Sequence, residues 1–380
     1  MADALKDHFD RPLVELLASR FASVDRRFDA AAFTETVVDS LHPLELKDRI
    51  NLIADELRAG LATDYRVALA AVVAVARTDG IEGFTAWPLC SFVERHGLTD
   101  PHASLDAMET LTRRFSCEFA IRPFLDHHLD LTRTHLDRWI RSDDEAVRRL
   151  PSEGTRPHLP WGPKVDALLD DPEIGLAVLT ELRHDPSETV RRSVANHLND
   201  IARNHPERVV QITREWRADP TIEASMIRHA LRSLVKRGDR GALAVLGFTT
   251  EPRVAVTAFD ILPAELRLSD SIELRATLVS EATTDQHLVI DFVVHHVGAD
   301  GTTRPKVFKW TTVELAAGAT TTVTKRRRIA TASTRRYHAG RHRVELQIAG
   351  EIAAECAFEL LDSSPTASPS AAAGSPSPPR

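Results

Sequence analysis

From the amino terminus to about Gly247, apolar residues recur every three to four positions, as in Phe33, Val37, Val38 and Leu41, then Leu46, Ile50, Ile53 and Leu57. That spacing marks one buried helical face. Breaks at Asp25, His42-Pro43, Ala62-Thr63-Asp64, Asp79-Gly80, Gly97 to Pro101 and Ser142-Asp143-Asp144 divide the stretch into helices of about three to four turns joined by short loops. The array then repeats itself. Glu145-Ala-Val-Arg148-Arg149 returns as Glu188-Thr-Val-Arg191-Arg192, and His184-Asp185-Pro186 is answered by Ala218-Asp219-Pro220, an aspartate-proline pair opening each helix. Matching Arg149 to Arg192 and Arg192 to Arg228 gives periods of 43 and 36 residues, which bracket the length of HEAT-like helical hairpins. The pattern predicts an all-α HEAT-like repeat superhelix over residues 1–248, with one helix of each pair lining a concave face.

One copy departs from the rule. Pro151 is expected to stop the helix that Glu145 begins, leaving Pro151–Pro163, with its four prolines and two glycines, as a stiff loop that holds Glu153, Arg156 and Trp161. After about Thr250 the period shortens to 2. Arg253–Phe259, Ile272–Leu278, Leu288–Val294 and Val344–Ile348 alternate or run apolar, and Ala299-Asp300-Gly301 reads as a hairpin turn. Residues 250–362 are therefore expected to form an all-β immunoglobulin-like sandwich lacking a cysteine pair. The Ser/Pro/Ala-rich stretch 363–380 is expected to be disordered.

A length of 380 residues allows about two domains. The net charge of −7 rules out a global polycation, so contact with nucleic acid must rely on a local basic surface. Three scattered cysteines, Cys90, Cys117 and Cys356, point to a reducing compartment, read as the cytoplasm. The first ten residues lack a basic and an apolar region, and the longest apolar run, Val67 to Ala76, is too short to cross a bilayer.

Candidate chemistry falls in three places. Opposite the apolar stripe Val190, Val194, Leu198 and Ile201 stand Arg192, Asn196, Asp200 and Arg203, and the next repeat shows Arg228, Arg232 and Lys236. Cationic ridges on successive helices suit a phosphate backbone, although a charge stripe is also the ordinary solvated face of a helix. Met108, Leu111, Phe115 and Phe119 predict another helix carrying Glu118 between Arg114 and Arg122, a pairing that by itself reads as a structural ion pair. Trp161, beside Arg156 and Lys164, could stack on a base or sugar while the cations grip phosphates. No phosphate-binding glycine loop, nucleophile elbow or metal-spaced Cys/His cluster is present. The histidine pairs His127-His128, His295-His296 and His338/His342 read as surface or packing residues.

Ser152-Glu153-Gly154-Thr155-Arg156-Pro157 with Leu159-Pro160-Trp161-Gly162, Ser193 to Ile201, Phe115-Ser-Cys-Glu118-Phe119-Ala-Ile-Arg122-Pro123 and Leu5 to Phe9 together resemble the AlkC-type DNA alkylation-repair glycosylases, relatives of AlkD in the HEAT-like superfamily. Many members carry an immunoglobulin-like domain ending in a hairpin that Tyr337-His338-Ala-Gly340-Arg341-His342-Arg-Val344 matches. The resemblance implies metal-free, cofactor-free hydrolysis of the N-glycosidic bond of 3-methyladenine and 3-methylcytosine in duplex DNA, without full base flipping. It assigns Glu153, Glu118 and Asp200 as carboxylates around the sugar, Trp161 to the deoxyribose and Arg156 to a phosphate. A monomer at the nucleoid is the default expectation, with the sandwich clamping DNA through Lys325–Arg328 and the Arg335–Arg343 hairpin, including His338, Arg341 and His342, although a basic run on an edge strand also guards against edge-to-edge aggregation. The competing reading is a non-catalytic helical scaffold that binds DNA or protein through its concave face.

Overall fold

The computed structural model describes residues 5–330 and 337–361; the tail expected to be disordered lies outside them. By its internal contacts the chain divides into two units, Met1–Ser233 and Leu234–Arg380. The first is helical throughout its described residues: α1 (Arg11–Val24), α2 (Ala30–Leu41), α3 (Leu46–Gly60), α4 (Tyr65–Ala76), α5 (Trp87–His96), α6 (Pro101–Leu111), α7 (Arg122–His127) and α8 (Leu129–Trp139). There follow α9 (Glu145–Gly154), α10 (Asp166–Asp170), α11 (Pro172–Leu182), α12 (Glu188–Ile201), α13 (Pro206–Arg217) and α14 (Ala224–Ala230). Aspartates start many of them: Asp10, Asp29, Asp64, Asp100 and Asp144 accept backbone N–H groups in the first turn, satisfying donors that a helix leaves open. The predicted apolar stripes, such as Ile50, Ile53 and Leu57 or Val190, Val194, Leu198 and Ile201, are buried.

The repeat is visible in its contacts. Helices α9, α12 and α14 pack in succession, and the first arginine of each Val-Arg-Arg run makes the same clamp. Arg148 donates from Nη1 to the Ser142 and Asp143 carbonyls, both at 2.9 Å, and reaches Asp185 at 2.6 Å. Arg191 donates from Nη1 to the Asp185 and Pro186 carbonyls at 2.7 and 2.9 Å and reaches Glu223 at 2.8 Å. The aspartate-proline pair lies ahead of the helix rather than at its cap. Ser187 caps α12, and Asp185 accepts the Ser187 N–H at 2.8 Å.

Two helix predictions need correcting. Pro151 lies inside α9, which continues to Gly154, so Glu153 sits on a final helical turn and not in a loop. A proline removes one N–H and crowds one carbonyl; with a single turn left to run, the helix tolerates both losses. The helix predicted through Phe119 stops at Leu111. There the Leu111 carbonyl takes the N–H groups of Arg114 and Phe115, while Thr112 Oγ1 accepts from Cys117 N at 3.3 Å, coiling residues 112–121 into turns.

The second unit contains an immunoglobulin-like pair of sheets. Strands β1 (Val254–Leu262), β3 (Ser271–Ser280) and β6 (Thr320–Arg328) form one sheet in the order β1-β3-β6. The other, ordered β2-β8-β7-β4-β5, comprises β2 (Glu265–Leu266), β4 (Gln286–Val297), β5 (Thr303–Leu315), β7 (Gly340–Ile348) and β8 (Glu351–Leu360). Alternate residues Ile272, Leu274, Ala276 and Leu278 of β3 meet Leu288, Ile290, Phe292 and Val294 of β4 and Val344 and Leu346 of β7 in the core, as a period of 2 requires. A short helix belongs here although its sequence reads with the helical half. In the segment Arg240–Val245, Leu243 packs on Val289 and Ala349, and Gly238 presses so close to Gly350 that a Cβ on the latter would lie 2.2 Å from the Gly238 Cα.

Candidate active site

The last turn of α9 is gripped from α12. Ser193 Oγ donates to Glu153 Oε2 at 2.6 Å and lies 2.9 Å from the Ser152 Oγ, from which it accepts, and His197 Nδ1 lies 2.9 Å from the Ser152 carbonyl. Burial, with the neighbouring Arg156 charge adding to it, pushes the His197 pKa down to about 3. The imidazole is therefore neutral and donates its Nδ1–H to that carbonyl.

Upon this support five charges alternate in sign. Glu118, in the turns between α6 and α7, accepts from Arg149 at 3.1 Å. Arg149 reaches Glu153 at 3.4 Å, Glu153 accepts from Arg156 at 2.5 Å, and Arg156 Nε donates to Asp200 at 2.8 Å. Three carboxylates against two guanidinia leave the row with one negative charge in excess. Burial holds the Glu118 carboxyl above its usual range; Arg149 draws it down, and Glu153 pushes it further up. Burial works against the Arg156 charge too, yet bonding to Asp200 and the field of Glu153 raise its pKa above the ordinary guanidinium value.

Arg122 lies behind the row with its guanidinium on backbone. It donates to the carbonyls of Gly154 at 3.0 Å, Arg156 at 2.8 Å and Pro163 at 2.5 Å. Burial and the adjoining Arg156 charge lower its pKa to about 10. The loop so anchored carries Trp161, a residue whose backbone is left-handed with φ 65° and which is 61 % exposed. Trp161 and Pro160 form one wall of a cleft of about 580 Å³; Phe84, Trp87, Phe115 and Phe119 form another, and Glu118, Arg149, Glu153 and Arg156 line it as well. Trp87 stacks on Phe115 and Phe119 at centroid distances of 5.0 and 5.3 Å.

Glu118, Glu153, Asp200, Arg156 and Trp161 are thus brought together, but Arg156 needs correcting. Its side chain is buried between two carboxylates, so it is not available to a phosphate. Asp200, expected on the solvated face of α12, is buried as well, because that face is covered where Arg156 crosses it. Lys164, Arg192, Arg203 and Arg228 are exposed; Arg192 pairs with Glu188. Asn196 and Arg232 are half-buried, and the Asn196 Oδ1 accepts from Arg232 at 3.0 Å and faces His229 Nε2 at 2.8 Å. Lys236 is exposed but falls in the second unit.

In that unit Arg341 is exposed and His338 half-buried, while Arg335 lies outside the described residues. His342 needs correcting: it occupies an inward position of β7 in register with Val344 and Leu346, is fully buried, and stacks on Phe358 at 5.0 Å. Of the basic run, Arg326 and Arg328 are exposed, whereas Arg327 turns inward over the Phe308 ring at 3.8 Å. Arg149, Arg122, Ser193 and the aromatic wall went unassigned in the sequence. Arg149 had a signal through its alignment with Arg192; Arg122, read as a neighbour of Glu118, instead binds backbone, and Glu118 takes Arg149 as its partner. Among the described residues no group of His, Cys, Asp and Glu could hold a metal ion, and no helix is long and apolar enough to cross a membrane.

Residues 114–234 match the family described as DNA alkylation repair enzyme, and residues 255–362 match the C-terminal Ig-like domain of the uncharacterised protein YhaZ. The uncharacterized protein YhaZ of Bacillus subtilis (strain 168) is 31% identical over 361 residues, spanning 95% of this chain and 100% of the relative. The solved structure of the Pseudomonas fluorescens alkylpurine DNA glycosylase AlkC, bound to DNA containing an abasic site analog, is 36% identical with a TM-score of 0.86, covering 95% of this chain and 100% of that one. Helical region and Ig-like domain together place the chain in the AlkC-type branch of the DNA alkylation repair enzyme family.

Proposed function

We propose that this protein is a monofunctional DNA glycosylase that hydrolyses the N-glycosidic bond of N3-alkylated bases, 3-methyladenine and 3-methylcytosine, in duplex DNA without fully flipping the lesion. The observation that carries the reading is a row of three carboxylates of which two, Glu118 and Glu153, line a cleft open enough for a sugar beside an exposed indole. Alkylation makes the base cationic, so it departs without a general acid, unlike the leaving group in sugar hydrolysis. The enzyme's task is then to stabilise positive charge growing on the deoxyribose and to direct water at it. The negative excess of the row serves the first purpose, and the Trp161 face adds cation–π attraction.

Glu153 is saturated by Arg156, Ser193 and Arg149, which suits it to a fixed field rather than to proton exchange. Glu118 suits the second purpose, because its raised pKa makes it the stronger base. Lys164, Arg192, Asn196, Arg203, Arg228 and Arg232 are proposed to follow the phosphates as a monomer binds DNA, with Lys236, His338 and Arg341 adding contacts from the second unit. The cytoplasm, at the nucleoid, is the proposed location.

The test is release of methylated bases from methylated duplex DNA, with chelator present. Glu153→Gln is expected to lower the rate by about 10²-fold while DNA binding persists. A wild-type protein that binds DNA and releases no base would be the non-catalytic scaffold; an unaltered Glu153→Gln rate would remove the row from the chemistry.

A further inference from the structure

Lys47 stands outside the row of charges, on α3, and meets the site at its tip. Its Nζ donates to the Trp161 carbonyl and lies 5.0 Å from the centroid of Phe119. Trp161 has φ 65°, a left-handed backbone that a bulky side chain seldom adopts unless its surroundings hold it there. Arg122 secures the two ends of the loop at Gly154, Arg156 and Pro163, and the Gly162 N–H closes onto the Leu159 carbonyl at 3.1 Å. The Gly162 N–H and the Trp161 carbonyl are the two polar ends of one planar peptide, and Lys47 holds the carbonyl end.

We propose that Lys47 is a positioning residue for the glycosylase: by holding that carbonyl, opposite the Gly162 N–H that Leu159 holds, it completes the clamp on the backbone rotation at Trp161, and with it restrains the direction of the indole over the cleft. Rotation about the Trp161 backbone turns the carbonyl and the side chain relative to one another, so a cation that fixes one restricts the other. The Lys47 ammonium also stands 5.0 Å from the ring centroid of Phe119, which lines the same cleft. An aromatic plate set in place before substrate arrives need not be ordered during the reaction.

This inference rests on the proposed role of Trp161 at the sugar, and two readouts keep the claims apart. The first needs no activity. In protein labelled with 5-fluorotryptophan, the Trp161 resonance, identified by its loss in Trp161→Phe, is expected to shift or broaden in Lys47→Met and to return in Lys47→Arg; an unmoved resonance overturns the proposal. The second is single-turnover base release. Lys47→Met is expected to slow it by about tenfold with unchanged affinity for undamaged DNA, Lys47→Arg to recover most of the rate, and Lys47→Met in a Trp161→Ala background to add less than about twofold. Independent, multiplying losses overturn the latch, as does a Lys47→Met variant whose main defect is weaker binding with a salt slope reduced by about one, the mark of a phosphate contact. If Trp161→Ala releases base at the wild-type rate, the sugar assignment fails, and the fluorine resonance still decides whether Lys47 holds the indole.

Discussion

Arg156→Met separates a buried bridge from a phosphate contact. In the wild type the guanidinium spans Glu153 at 2.5 Å and Asp200 at 2.8 Å, with all three side chains nearly solvent-free. Methionine keeps much of the stem volume but leaves two carboxylates facing each other without their shared counter-charge. Breaking a buried pair by removing one partner costs about 3–5 kcal/mol. For a unit of this size each kcal/mol moves the melting temperature by roughly 2–4 °C, so the expected fall is about 6–20 °C. An exposed phosphate ligand behaves in the opposite way: its loss changes stability by less than about 0.5 kcal/mol and lowers the slope of log K against log salt by about 0.9. Urea unfolding and thermal melting report the first quantity, and DNA titrations between low and moderate salt report the second. Arg228→Met, at an exposed position of α14, serves as the converse control. A stable Arg156→Met protein with a reduced salt slope would refute the buried bridge and restore the phosphate assignment made from sequence.

The raised Glu118 pKa sets the acid limb of the pH profile. If the ionised carboxylate acts as base, base release is lost as pH falls through a value above the usual carboxylate range of about 4.3, and Glu118→Gln abolishes that limb; a limb at the ordinary value removes Glu118 from the role. Gly175→Ala tests the support beneath Ser152. A Cβ on Gly175 would lie 2.7 Å from His197 Nε2, so despite alanine's better helix propensity the variant is expected to lose about 1–3 kcal/mol in urea unfolding; unchanged stability would show that His197 yields without cost.

Much of the site was legible because its residues sit where the sequence breaks its own pattern. Glu153 and Trp161 stood out among four prolines in a repeat that elsewhere continues as helix, and the structure sets both on the cleft. Arg156 was misread although Glu153, three residues earlier, was a local partner, because its second acceptor lies far along the chain. Its partner Asp200 is 44 residues away, and only the packing of α12 against α9 turns a surface-like aspartate into a buried acceptor. The extra turn of α9 beyond Pro151 was hidden by treating proline as an absolute stop. His342 was misread although the signal was present: it shares the alternation of Val344 and Leu346, which marks the inward face. Lys47 carries no local signal, since its task lies 114 residues along the chain in the bond to Trp161.

The paired arginines of the Val-Arg-Arg run divide their labour. The first member, Arg148 or Arg191, is committed to stitching its helix to the turn before it and to the following repeat. Its neighbour is thereby released from upkeep: Arg149 sits between Glu118 and Glu153, while Arg192 looks outward beside Glu188. A duplicated dipeptide thus supplies mortar at its first position and leaves the second free to differ between repeats, paired across to Glu118 in one and to Glu188 of its own helix in the other.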